Sequence, residues 1–275
     1  MTVLVTGATG RAGREVVNEL VRAGARVRAV TRDPARAGLP EGVEVVHGDL
    51  ERPATLEPAM DGVSRLYLFP VEESAREVAE LAGRRGVERI VVLSGALADQ
   101  DDLGYAQVEK AVRASGVAWT MIRPGEFAAN WLDAAEGIRS RREVRRPYGA
   151  ALTRPTHEAD IGLIAATVLL EDGHAGQVYT FAGPQELTVA EQVAVIGRAI
   201  GEEVRFVELT PEQARREWYD PDNGVTHEVI DWLLDLYASA LGAGVVAGGD
   251  VFQRVTGRPP RSFEQWARDH AADFR

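Results

Sequence analysis

Apolar positions follow two alternating rhythms over the first 125 or so of the 275 residues. Short, nearly continuous apolar runs fit strands buried on both faces: "TVLVT" (2–6), "RVRAVT" (26–31), "VEVVH" (43–47), "SRLYLF" (64–69), "RIVVLS" (89–94) and "AWTMIR" (118–123). Between them the apolar residues recur at helical spacing, as in 11–23 (Val16, Val17, Leu20, Val21) and 74–85 (Val78, Ala79, Leu81). Strands joined by helices require right-handed crossovers and a parallel sheet covered on both sides. The expected fold class is α/β, a doubly wound parallel sheet.

The rhythm loosens after Arg123. "HEADIGLIAATVLL" (157–170) reads as a buried helix whose Asp160 satisfies backbone amides at the start, and "QVYTFAG" (177–183) as a late strand. Thr188 and Glu191 form a capping box, and "EVRFVEL" (203–209) reads as a strand. Thr210, Pro211 and Gln213 open a further helix, and Ser262 with Gln265 repeats the device. "ALGAGVVAGGDV" (240–251) is too rich in glycine for a stable helix and reads as a loop. The expected organisation is a nucleotide-binding domain over 1–150. A smaller, mostly helical part over 151–275 is intertwined with it and completes the substrate cleft.

Composition removes several classes of function. Apolar residues make up 45% of the chain, enough for a full core. With no cysteine there are no disulfides, Cys-ligated zinc or thiol nucleophiles, which suits a reducing cytoplasm. A net charge of −11 opposes nucleic-acid binding. No run approaches the roughly 20 apolar residues of a membrane span, and Val3 to Thr6 already read as a core strand rather than a signal peptide. His47, His157, His174, His227 and His270 lack metal-ligand spacing, so no metal is expected. The sequence does not separate a monomer from a homodimer. Nearly all positive charge is arginine, and Lys110 is the single lysine.

Gly7-x-x-Gly10-x-x-Gly13 lies between the first strand and the first helix, the context a dinucleotide turn requires. The first glycine permits the turn, the second admits a pyrophosphate, and the third allows helix and strand to pack closely. Thr9, Arg11 and Ala12 fill the turn and complete the phosphate-binding set. At the end of the second strand, where an acidic residue would hold the ribose of NAD, stand Thr31 and Arg32. Arg11 and Arg32 suit a 2′-phosphate, which favours NADP(H) over NAD(H). The plain structural alternative is solvated charge, with Asp33 offsetting Arg32.

"TGATGRAG" (6–13), "HGDL" (47–50), "VVLSG" (91–95), "SGVAWTMIRPGEF" (115–127) and the terminal "TGRPPRSFEQWARDHAADF" together resemble the NmrA-like, atypical branch of the extended short-chain dehydrogenases, whose fold is Rossmann-type. The resemblance implies that Asp49 and Leu50 border the adenine, and that Leu68, Phe69 and Pro70 line the ribose and nicotinamide side. Ser94 and Gly95 lie beneath the nicotinamide, and Arg123 and Pro124 belong to a loop whose backbone borders it. Asn130 matches an asparagine common there. Capping of the next short helix is the structural alternative for Asp49.

Short-chain dehydrogenases usually carry Tyr-x-x-x-Lys, in which the lysine lowers the tyrosine pKa and holds the ribose. Here "YAQVEK" puts Glu109 four residues after Tyr105 and Lys110 five, about 100° further round the helix. Glu109 is expected beside the phenol, raising its pKa, and the relay is expected to be broken. Tyr105 and Ser94 remain the catalytic candidates near the hydride. Tyr67, Phe69, Phe127, Trp131 and Tyr148 could wall an acceptor pocket or simply fill the core.

Without the relay, hydride transfer suits a small planar apolar acceptor such as a quinone, conjugated enone or aromatic metabolite. Its charge delocalises and water protonates it later. The first reading is therefore an NADPH-dependent reductase. The alternative is a non-catalytic, NADP(H)-binding redox sensor acting through a protein partner. Nucleotide-sugar epimerisation needs the Tyr–Lys pair and ranks below both.

Overall fold

The computed structural model describes residues 1–100, 104–221, 224–242 and 249–275. Six strands, β1 (Thr2–Val5), β2 (Arg26–Thr31), β3 (Glu44–His47), β4 (Arg65–Leu68), β5 (Arg89–Leu93) and β6 (Ala118–Pro124), join the later strand Gln177–Phe181 in one parallel sheet. Their order is β3-β2-β1-β4-β5-β6 followed by 177–181. The register pairs Val3 with Val27, Leu66 with Ile90 and Ile122 with Tyr179. Strand order reverses direction between β1 and β4, the switch point at whose carboxyl edge such sheets bind ligands. The doubly wound parallel sheet expected from the apolar rhythm is present.

The chain divides into two compact units, 1–125 with 158–181 and 250–260, and 126–157 with 182–249 and 261–275. In the first, α1 (Arg11–Arg22), α2 (Glu72–Arg84) and α3 (Tyr105–Ala114) cover the sheet together with helix Glu158–Leu170. Leu4, Leu66, Ile90 and Met121 pack with Ala75, Val78, Ala82, Val108 and Val112 of α2 and α3, all buried. Helix 158–170 lies against α1. A Cβ on its Gly162 would come within 2.6 Å of the Glu15 carbonyl carbon, so glycine sets that spacing. Arg89, buried at the start of β5, donates to the Val168 carbonyl at 2.9 Å and to Asp172 Oδ1 at 3.1 Å, tying the helix end to the sheet.

The second unit is mostly helical around aromatic packing, with Phe263 stacked on Trp266 at 5.2 Å and both buried. Two of the three expected capping boxes form with both bonds, at Thr188/Glu191 and Thr210/Gln213, and at the third Ser262 accepts from the Gln265 amide. Strand Arg205–Glu208 runs parallel to Glu143–Arg146, and Leu152–Thr153 antiparallel to Leu187–Thr188. Glu143–Arg146 is a strand the apolar pattern did not announce, because its sequence is charged and only the partner strand defines it. Helix His227–Ser239 was likewise not anticipated. The loop expected over 240–251 needs correction at its end. Residues 243–248 lie outside the described residues, and Val251 opens a short helix to Thr256 that buries Phe252 against Phe181, ring centroids 5.7 Å apart. Among the described residues, no helix is long and apolar enough to cross a membrane, and no cluster of His, Asp and Glu could hold a metal ion.

Candidate active site

The glycine turn is shaped by sites that exclude side chains. Gly7 sits at φ +61°, a conformation that L side chains rarely adopt. A Cβ on Gly13 would fall 2.1 Å from the Gly7 carbonyl oxygen, so only glycine lets α1 start this close to β1. The Gly10 amide donates to that same oxygen at 3.0 Å. Gly10 is the N-cap of α1; it offers no side-chain acceptor, and the first turn carries no acidic residue. With no capping side chain and no acid in the first turn, the positive end of the α1 dipole suits an anion. Thr9, Gly10 and Arg11 are exposed, while Ala12 and Gly13 are buried beneath them.

At the end expected to meet the adenosine, Arg32 is exposed immediately after β2. Arg14, which sequence reasoning passed over, donates from Nη1 to the Gly38 carbonyl at 2.5 Å and from Nη2 to that of Ala37 at 3.0 Å. It thereby pins the segment that follows Arg32. Asp49 Oδ1 accepts from the Glu51 amide at 3.1 Å, and the Asp49 amide donates to Thr55 Oγ1 at 2.8 Å. The carboxylate thus organises its own turn, whatever else it does. Leu50 is half-buried against the core.

At the other end, the Thr6 hydroxyl donates to the Tyr67 carbonyl at 3.0 Å and accepts from the Phe69 amide at 2.8 Å, locking the ends of β1 and β4 together. Phe69 is 40% exposed, and its Cβ lies 2.9 Å from where a Cβ on Gly7 would be. The glycine turn thus carries an exposed aromatic ring on its flank. Leu68 is buried, and Pro70 is half-buried. Past β5, the Tyr105 ring lies over Gly95, 3.1 Å from the corresponding built Cβ. Pro124 is buried at the end of β6, its carbonyl accepting from the Ala96 amide at 3.0 Å.

The side chains that bond to Glu109 are those of Arg123, Ser94 and Arg113, and not the phenol expected beside it. Glu109 is 3% exposed and accepts from Arg123 Nε on Oε1 and Arg123 Nη2 on Oε2, both at 2.7 Å. It also accepts from Ser94 Oγ at 2.6 Å and Arg113 Nη2 at 3.1 Å. Burial alone would raise this carboxyl, but the bonds from Arg123, Ser94 and Arg113 outweigh it and hold the group below its ordinary range. Arg123 reaches outward to Asp99 as well, at 2.7 and 2.9 Å. A buried cation close enough for two salt bridges explains the outcome: Glu109 relieves Arg123, and Tyr105, one turn earlier, has no comparable charge to offer. Lys110 is exposed and opens onto a groove beside Arg113 and Ala114. Sequence spacing alone could not show this cluster, because Ser94, Glu109 and Arg123 meet only through the β5–α3–β6 crossover.

The aromatic candidates separate. Tyr67 is fully buried, and burial pushes its phenol well above the ordinary range. Trp131 is core: its indole donates to Gln192 Oε1 at 2.7 Å, and Arg146 stacks 4.4 Å from its ring centroid. Phe127 is half-buried and bridges to Thr156, and Tyr148 is half-buried at φ +56°. Asn130 is exposed. Asp160 is buried in the first turn of its helix.

Residues 7–171 match the NAD(P)H-binding family model. The chain belongs to this family. Two curated relatives cover 99% of this chain and 99% of their own length. One, from Streptomyces griseus, is a (4-alkanoyl-5-oxo-2,5-dihydrofuran-3-yl)methyl phosphate reductase, 36% identical. The other, from Xenophilus azovorans, is an NAD(P)H azoreductase, 34% identical. The solved structure of the NADPH-dependent quinone oxidoreductase of Escherichia coli, complexed with NADPH, superposes with a TM-score of 0.82 at 25% identity, covering 98% of this chain and 99% of that one. This NAD(P)H-binding protein is an NAD(P)H-dependent oxidoreductase without a Tyr-x-x-x-Lys pair. The glycine cradle fits the nicotinamide dinucleotide, since a methyl group at Gly13 would already collide with backbone.

Proposed function

We propose that this protein uses NADPH to reduce a small, planar, apolar acceptor: a quinone, a conjugated enone or an aromatic metabolite. The observation that carries the reading is the placement of Glu109. Bound to Arg123, Arg113 and Ser94, it leaves Tyr105 without the adjacent lysine that would make it an efficient acid. Ketone reduction needs a proton as the alkoxide forms; a quinone or extended enone does not. Bound NADPH supplies the hydride. The protein holds the dinucleotide through Gly7, Thr9, Gly10, Arg11, Ala12 and Gly13, with Asp49 and Leu50 toward the adenine and Leu68, Phe69, Pro70, Ser94, Gly95 and Pro124 toward the nicotinamide. Tyr105 and Phe69 present rings on that side, suited to stacking a flat acceptor. The relatives named above are reductases of a dihydrofuran, an azo compound and a quinone, which fits this class.

Preference for NADP(H) rests on Arg11 and Arg32, both exposed at the phosphate and ribose end. The test is loss of nicotinamide absorbance when the purified protein meets NADPH and a panel of quinones, enones, azo dyes and simple ketones. Turnover of flat conjugated acceptors with ketones slower by about a hundredfold or more is expected, a gap of roughly 2.7 kcal/mol. Ketones turned over as fast as quinones would contradict the reading. So would silence toward every acceptor, which would favour a sensor.

A further inference from the structure

Four side chains from three parts of the first unit meet behind the hydride end, and the reductase reading above leaves Arg123 and Asp99 without a task. Arg123 leaves β6 and grips two carboxylates at once, Glu109 on α3 through Nε and Nη2 and Asp99 through Nη1 and Nη2. Glu109 in turn accepts a hydrogen bond from the Ser94 hydroxyl at 2.6 Å. Ser94 and Asp99 bracket the segment after β5 that contains Gly95, and Glu109 stands one turn beyond Tyr105, whose ring covers Gly95. Breaking the cluster would free both sides of that contact.

The exposures are unequal in a telling way. The Arg123 and Glu109 side chains are 8% and 4% exposed, whereas that of Asp99 is 79% exposed. An isolated surface pair is worth little, but a bidentate grip on a buried guanidinium is geometrically stringent. Among the described residues, the backbone support of the segment besides is the Ser94 amide on the Ile122 carbonyl at 2.8 Å, and the Ala96 amide on the Pro124 carbonyl and the Ala98 amide on the Gly95 carbonyl, each 3.0 Å.

We infer that Arg123, bridging Glu109 and Asp99, is the positioning residue of the hydride site. It clamps the segment carrying Ser94 and Gly95 to the helix carrying Tyr105. A second consequence concerns specificity. A serine hydroxyl has one proton, and this one is given to Glu109, so Ser94 can accept from an acceptor molecule but not donate to it. The clamp thereby selects acceptors that need no acid at the moment of hydride transfer. This inference rests on the reductase reading for its catalytic half only; the clamp itself is a property of the protein alone.

The experiment compares the wild type with Asp99→Asn and Asp99→Glu. Asp99 is chosen because its loss leaves the buried Glu109–Arg123 pair, and hence the fold, in place. Amide hydrogen exchange, measured with NADP⁺ and without acceptor, should speed up at Ala96 and Ala98 by about tenfold in Asp99→Asn and recover in Asp99→Glu. With NADPH deuterated at the transferred position and a quinone as acceptor, kcat for Asp99→Asn should fall by roughly tenfold, since small displacements of reacting groups are costly. The isotope effect on kcat should rise while the Kd for NADPH stays within about threefold, and Asp99→Glu should restore most of the rate. Unchanged exchange in Asp99→Asn overturns the clamp whether or not any acceptor is turned over. Faster exchange with unchanged kcat, or a lower kcat with an unchanged isotope effect, overturns its positioning role. A wild type that reduces no acceptor contradicts the proposed function but leaves the exchange result to decide the clamp.

Discussion

The two ends of the proposed dinucleotide site are built from different materials. At the phosphate end, the fit comes from what is missing: Gly7, Gly10 and Gly13 bring backbone close, and an N-cap without a side chain offers the α1 amides no capping acceptor. At the hydride end, it comes from side-chain charge, with Ser94, Glu109, Asp99 and Arg123 gathered from separate elements. A backbone cradle tolerates no added atom, whereas a charge cluster tolerates conservative exchange but not loss of a partner. The same protein therefore has one end that fails sterically and another that fails electrostatically.

Adding one methyl group should separate the two most sharply. Gly13→Ala forces a Cβ into the Gly7 carbonyl, and NADPH binding measured by calorimetry should weaken by a hundredfold or more, about 2.7 kcal/mol. A change below about fivefold would show that the cradle yields. The electrostatic end is broken by Glu109→Gln, which leaves Arg123 buried with Asp99 as its remaining full charge partner among the described residues. Chemical denaturation near neutral pH should show a loss of about 3 kcal/mol, with the gap to wild type closing in acid. The sign follows from the depressed Glu109 carboxyl: its contribution is present above the unfolded pKa and is lost as pH falls through the folded one. A gap that persists undiminished at about pH 3 would assign the loss to packing instead.

Smaller effects sharpen the contrast. Arg32→Ala should weaken NADPH by about tenfold and NADH by less than about twofold, since only the extra phosphate is affected. Equal weakening of both coenzymes would remove the basis for NADP(H) preference. Smallest of all, Trp131→Phe should cost about 1–2 kcal/mol through the lost bond to Gln192, while quinone turnover stays unchanged. A large fall in turnover would return Trp131 to the acceptor site.

The sequence disclosed what is local. β2 lies at 26–31 as its apolar run indicates, and Thr188 and Thr210 cap their helices through contacts three residues apart. The glycine turn is legible for the same reason, since its strand, turn and helix are contiguous. Glu143–Arg146 was not, because a charged strand exists only by virtue of the partner at 205–208. Nor was the role of Arg14, which reaches carbonyls 23 and 24 residues away. Helical spacing correctly placed Glu109 one turn from Tyr105, yet the stronger partner came from β6. Helical periodicity gives the direction of a side chain but not the charge that waits there.

The claim on which these contrasts depend is that hydride moves here without a side-chain acid. Turnover of a quinone with NADPH by Tyr105→Phe reads it most directly. A kcat within about threefold of wild type is expected, because water supplies the proton after hydride transfer. A fall of a hundredfold or more, with NADPH still bound as tightly, would make the phenol an essential proton donor and contradict the claim.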